Sequence, residues 1–149
     1  MPARHDITSN QGETLNLHLL YTDSIDASID LANYSAEFQV RRSVSDSDKL
    51  LHLYGSTGGL NYGATAGSTG AGDTSVGISG GIWLNRNAGN TGGETGGIRI
   101  FAGATATSLV PAGKHLYDLE LRYIPDGTVT RLMEGRFDSP SEVTRWKLK

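Results

Sequence analysis

Four histidines, His5, His18, His52 and His115, are the imidazoles available for acid-base or metal chemistry. A zinc site or metalloprotease motif would space them as HxH or HExxH, and no pair is so spaced. Carboxylates occur in two runs, Asp23, Asp26 and Asp30, then Asp46 and Asp48. Neither fits the spaced Asp/Asn loop ending in Glu that an EF-hand uses, so solvated turns account for both. Residues 67–74, Gly-Ser-Thr-Gly-Ala-Gly-Asp-Thr, have the glycines of a phosphate loop but not the lysine that reaches the β and γ phosphates. A hydrolytic triad lacks its GxSxG elbow. Glu120 and Glu134 are a poor glycosidase pair, because both fall on a charged hairpin face without a cleft to raise a pKa. The chain has no cysteine, which removes disulfides, thiolate zinc ligands and a thiol nucleophile. The expectation is a protein that is not an enzyme, with no catalytic, metal-binding or cofactor-binding residues.

Recognition chemistry is left. Trp83 lies in a glycine-rich stretch and Trp146 near the C-terminus, where a large ring more often anchors a protein interface than a core. In the last residues Trp146 and Leu148 alternate with charged positions, and both are expected to pack on the domain or on a partner. Trp83, Tyr54 and Tyr62 allow a different reading, in which aromatic faces stack on sugar rings of a receptor glycan. Asn33-Tyr34-Ser35 matches a glycosylation sequon, but the polar start of the chain has no signal-peptide run, which makes the match incidental.

The 149 residues suit one domain, residues 1–149. A formal net charge of −3, with no basic cluster, argues against nucleic acid and anionic membranes as partners. No window has the apolar length of a membrane span. The reading is a soluble chain made in a cytoplasm.

The elements that must carry these residues read as strands. Residues 13–21 alternate, with Leu15, Leu17 and Leu19 on one face, and residues 34–41 put Tyr34, Ala36, Phe38 and Val40 together. Residues 5–9 suggest a short strand, 23–30 a loop, 50–54 a further strand, and 105–109 a single helical turn. Ile124-Pro125-Asp126-Gly127-Thr128 predicts a three-residue hairpin loop with a bulge, Gly127 taking the left-handed conformation. Pairing Ile124 with Thr128 sets Tyr123 against Val129, Leu121 against Arg131, Leu119 against Met133 and Tyr117 against Gly135. Short strands punctuated by glycine and proline predict an all-β fold, an antiparallel β-sandwich of immunoglobulin-like or jelly-roll-like kind.

Fifteen of the 20 glycines fall in residues 55–97. Residues 55–74 read as a flexible loop, and residues 76–84 and 97–101 as two strands joined by a mobile tip. As a coil this window would span about 35 Å, against a radius of gyration of about 15 Å for the domain. The expectation is a long glycine-rich hairpin and loop inserted in the sandwich, long enough to reach a neighbouring subunit.

Three segments carry a family likeness: Pro111-Ala112-Gly113 with Tyr117-Asp118-Leu119-Glu120-Leu121; Gly127, Val129 and Arg131-Leu132 with Glu134-Gly135; and Ser141-Glu142-Val143-Thr144-Arg145. Together with Ile7, Gln11-Gly12, Asp30-Leu31, Tyr34-Ser35-Ala36 and Gln39-Val40-Arg41, this pattern resembles small tailed-phage virion proteins similar in fold to the N-terminal domain of the phage baseplate upper protein. The likeness spans residues 4–42 and 98–145, and the glycine-rich window has no counterpart in it. The resemblance implies a bacteriophage structural protein of the tail or baseplate, located in the virion after synthesis in the host cytoplasm. Its partners would be other virion proteins, with several copies in a symmetric assembly. A capsid decoration or head-fibre protein is the alternative within the same class, and a glycan-binding or receptor-binding module the alternative outside it.

Overall fold

A computed structural model describes residues 3–23, 25, 27, 29–43, 45, 49–56, 63–66, 80–85 and 95–140. Ten strands and one short helix are assigned among them, in chain order β1 (Ala3–Arg4), β2 (Ile7–Thr8), β3 (Leu15–Leu20), β4 (Tyr34–Arg41), β5 (Leu51–Ser56), β6 (Gly63–Ala66), β7 (Gly80–Leu84), β8 (Gly97–Ala102), α1 (Ala104–Ser108), β9 (Gly113–Tyr123) and β10 (Thr128–Ser139). They build an all-β sandwich. The large sheet runs β1-β10-β9-β4-β5-β6, with β2 also paired to β10, and the small sheet runs β3-β8-β7. Pairing is antiparallel except at the start of the chain, where β1 and β2 both lie parallel to β10.

Alternation decides what each strand buries. Ala36, Phe38 and Val40 of β4, Leu51 and Leu53 of β5, and Tyr117, Leu119 and Leu121 of β9 face inward. They meet Leu15, Ile82, Leu84, Ile98 and Ile100 from the small sheet. Burial of a side chain of this size stabilises the fold by about 1.5–3 kcal/mol. Phe38 stacks on Tyr117 with centroids 5.1 Å apart and meets Phe137 edge-on at 6.2 Å. The Tyr117 hydroxyl donates to the carbonyl of His5, which ties the N-terminal segment to the core. Burial pushes that phenol up to about 12.

The β9–β10 hairpin differs from its sequence reading at the tip. Tyr123, not Ile124, pairs with Thr128, so the loop is four residues, 124–127. Gly127 is left-handed at φ 75°, its N–H donates to the Tyr123 carbonyl at 2.8 Å, and the Asp126 carboxylate accepts from Thr128 N–H at 2.9 Å. Ile124 cannot pair across the hairpin, because its N–H donates to the Asn33 carbonyl at 2.8 Å beside β4. A bulge between Arg131 and Met133 then absorbs the extra residue. Leu119 opposite Met133 and Tyr117 opposite Gly135 therefore pair as expected, while Val129 opposes Arg122 and is left exposed.

Where residues 55–97 are described, they are built into the sandwich rather than carried as an arm beside it. The β7–β8 hairpin forms most of the small sheet, with Ile82, Leu84, Ile98 and Ile100 fully buried. Within the part read as a loop, β6 pairs with β5. The glycines serve contact here: a Cβ at Gly55 would fall on the Ile82 carbonyl oxygen, and one at Gly80 would lie 2.9 Å from the Phe101 carbonyl oxygen. Backbone meets backbone where β7 crosses β5, which only glycine allows.

Candidate functional site

The outward face of the small sheet gathers a cluster that the sequence shows only in pieces. Trp83 lies directly across from Arg99 in the β7–β8 pairing, and His18 flanks Arg99 on the β3 side. Phe101 follows two residues along β8 on the same face. The Trp83 and Phe101 rings are 4.4 Å apart and tilted by 50°. Arg99 Cζ lies 4.6 Å from the Trp83 centroid and 5.1 Å from that of Phe101, inside the range of a cation–π contact. Arg99 Nε donates to Asn16 Oδ1 at 3.0 Å across the β3–β8 pair. The guanidinium is thus fixed in plane and height by two rings and one amide.

Strand periodicity makes this face. In β8 the isoleucines Ile98 and Ile100 turn in, so Arg99 and Phe101 must turn out. In β3, Asn16, His18 and Leu20 are the exposed positions. Leu20 is 49% exposed, an apolar group at the margin of the cluster. Nothing on the outward positions of β3, β7 and β8 is acidic.

Asn85 holds the end of this sheet. It adopts the left-handed conformation at φ 56°, and its Oδ1 accepts from the N–H groups of Leu31 and Gly96, each at 3.1 Å. Its Nδ2 donates to Asp30 Oδ1 at 3.2 Å. One side chain therefore ties the loop before β4 to the turn that leads into β8.

The outward face of the large sheet is charged. A groove of about 640 Å³ there is lined by Glu37, Arg41, Asp118, Glu120, Arg131 and Glu134 among others. Arg131 contacts Asp118 at 3.4 Å, Glu120 at 3.3 Å and Glu134 at 3.4 Å. Burial holds the Asp118 carboxyl above its ordinary range, the Glu120 charge adds to this, and Arg131 opposes it. His52 Nε2 sits 3.1 Å from Glu37. Its pKa is lowered mainly by burial, then by the Lys49 charge, against the pull of Glu37.

The residues singled out in the sequence are dispersed. Tyr54 is on the large sheet, its ring 5.4 Å from His52 and its phenol laid over Gly63 of β6, where a Cβ would collide with it. Trp83 is on the small sheet facing the other way, so these two rings share no platform. Tyr62, Trp146 and Leu148 lie outside the described residues. Asp23 and Asp30 serve turns: Asp23 Oδ1 accepts from Ile25 and Ala27, and Asp30 Oδ1 from Ala32. His115 is buried with Nε2 2.7 Å from the Pro111 carbonyl, far along the other sheet from His18. Among the described residues no group of three or more His, Cys, Asp or Glu is placed to hold a metal ion, and no helix is long and apolar enough to cross a membrane.

Arg99, Phe101 and Asn16 stand in the strands expected at residues 13–21 and 97–101, with no motif that marks them as a site. The alternation of Ile98, Arg99, Ile100 and Phe101 was the available signal, yet their meeting with Trp83 and Asn16 depends on pairing across the sheet. No protein-family model matches the chain, and no curated protein matches its sequence.

Proposed function

We propose that the chain is a structural protein of a tailed-phage virion, a tail or baseplate component that bridges neighbouring tail or fibre proteins. The observation that supports this reading is the Trp83–Arg99–Phe101 cluster on the outward face of the small sheet. Tryptophan and arginine are the residue types that dominate protein-protein hot spots, and here they are already ordered before any partner arrives. The likeness of residues 4–42 and 98–145 to virion proteins of the baseplate class supplies the setting. A sugar platform is less well supported, because Trp83 and Tyr54 point away from each other.

Purified particles of the phage that encodes this chain test the reading. Mass spectrometry should find the chain in several copies per particle, and Trp83→Ala should fold yet fail to be incorporated. A chain absent from particles, or a Trp83→Ala variant incorporated at the wild-type level, would overturn it.

A further inference from the structure

Resting on the reading of the small-sheet face as a docking surface, we infer that Arg99 sets its specificity and takes a carboxylate of the partner protein. That carboxylate is an Asp or Glu side chain with apolar groups beside it. Arg99 has donors left to give. A guanidinium carries five N–H donors in a fixed fork. Asn16 takes the Nε donor, the two rings take the flat face, and no described residue accepts from the Nη atoms.

Charge around it points to an anion. Arg131 on the other sheet has three carboxylates within 3.4 Å. Arg99 has none among the described residues, and no outward position of β3, β7 or β8 is acidic. A single cation among rings and Leu20 suits a planar, singly charged group that two parallel N–H···O bonds can hold. A nucleic-acid backbone would call instead for a row of cations. Apolar surroundings strengthen the pair by excluding water, and the planar fork discriminates against a mere point charge.

The test uses the full chain, isotope-labelled, with two capped peptides as probes: acetyl-Leu-Glu-Leu-amide and acetyl-Leu-Gln-Leu-amide. N-acetylneuraminic acid serves as a third probe, for a carboxylate of sugar origin. The Arg99 Nε–H and Trp83 Nε1–H resonances report binding. The Glu peptide should shift both in a saturable way, and the Gln peptide should bind about tenfold more weakly. Arg99→Lys, which keeps the charge and loses the fork, should weaken the Glu peptide by a similar factor, with Arg99→Gln as a second variant. Equal responses to the two peptides, or a response to N-acetylneuraminic acid alone, would overturn the inference. If the peptides bind alike while Trp83→Ala still abolishes incorporation, the docking face stands and the carboxylate falls. If Trp83→Ala is incorporated normally, the docking reading itself has failed.

Discussion

Two arginines, one on each outer face of the sandwich, are held in opposite ways. On the large sheet Arg131 is 48% exposed and surrounded by Asp118, Glu120 and Glu134, so its charge is spent within the molecule. On the small sheet Arg99 is held by Trp83, Phe101 and Asn16, neutral groups that fix its position, and no carboxylate among the described residues pairs with it. Both arrangements order a long side chain. The difference is that the first is a closed ion network and the second an open one, and an open, ordered cation beside rings is what a partner can use.

The comparison breaks most completely if the sheets cannot meet. Gly55→Val would drive a side chain into the Ile82 backbone and should cost at least about 3 kcal/mol, read as loss of the folded baseline in chemical denaturation. Both faces would be lost together.

Asn85→Ala acts where the small sheet meets the loop before β4. It removes the acceptor used by two backbone N–H groups and places alanine at a positive φ, for about 2 kcal/mol in all. Asn85→Gly restores the backbone freedom but not the bonds and should recover only part of the loss. In either variant the resonances of Trp83, Arg99 and the loop before β4 should move, while the Arg131 cluster keeps its own.

The two arginines themselves sharpen the contrast through pH. Arg131→Gln leaves three carboxylates facing one another and should cost about 1 kcal/mol at pH 7. Asp118 already has a raised carboxyl pKa, so the folded state binds more protons than the unfolded chain between the ordinary value and the raised one. Stability therefore falls as pH rises through that window, and the penalty is complete above it. Removing Arg131 raises the carboxyl further, so the cost of Arg131→Gln should grow with pH across the carboxylate range and shrink in acid. Arg99→Gln should cost less, about 0.5 kcal/mol of cation–π contact, and the cost should be the same on both sides of the carboxylate range because no acid among the described residues faces it. Thermal midpoints of the two variants at several acidic pH values check both statements.

Much of the large sheet was legible because β4 and β9 each carry one apolar and one polar face, so alternation alone assigns them. The same holds for β3, and the helical turn at residues 105–109 appears as α1. The other parts depend on contacts between residues distant in sequence. Glycine gives one signal for two physical situations, a loose loop and a tight contact, and Gly55 and Gly80 prove to be contacts. β6 has no large side chain to announce it and is a strand through its pairing with β5, where Tyr54 covers Gly63. β1 is too short for a period to show and is placed by β10, whereas β2 falls within the short strand expected at residues 5–9. At the hairpin tip the turn residues were readable, but the register depended on Asn33, which is distant in sequence. Of the cluster on the small sheet only Trp83 could be singled out, since what makes it a site is Arg99 beside it and Asn16 behind.

The proposal that the small-sheet face docks a neighbour in a virion is tested most directly by a cryo-EM map of intact particles purified from the source that encodes this chain. Several symmetric copies are expected, each with Trp83 and Arg99 buried against another virion protein. Copies whose β3-β8-β7 face looks into solvent, or particles without the chain, would contradict it.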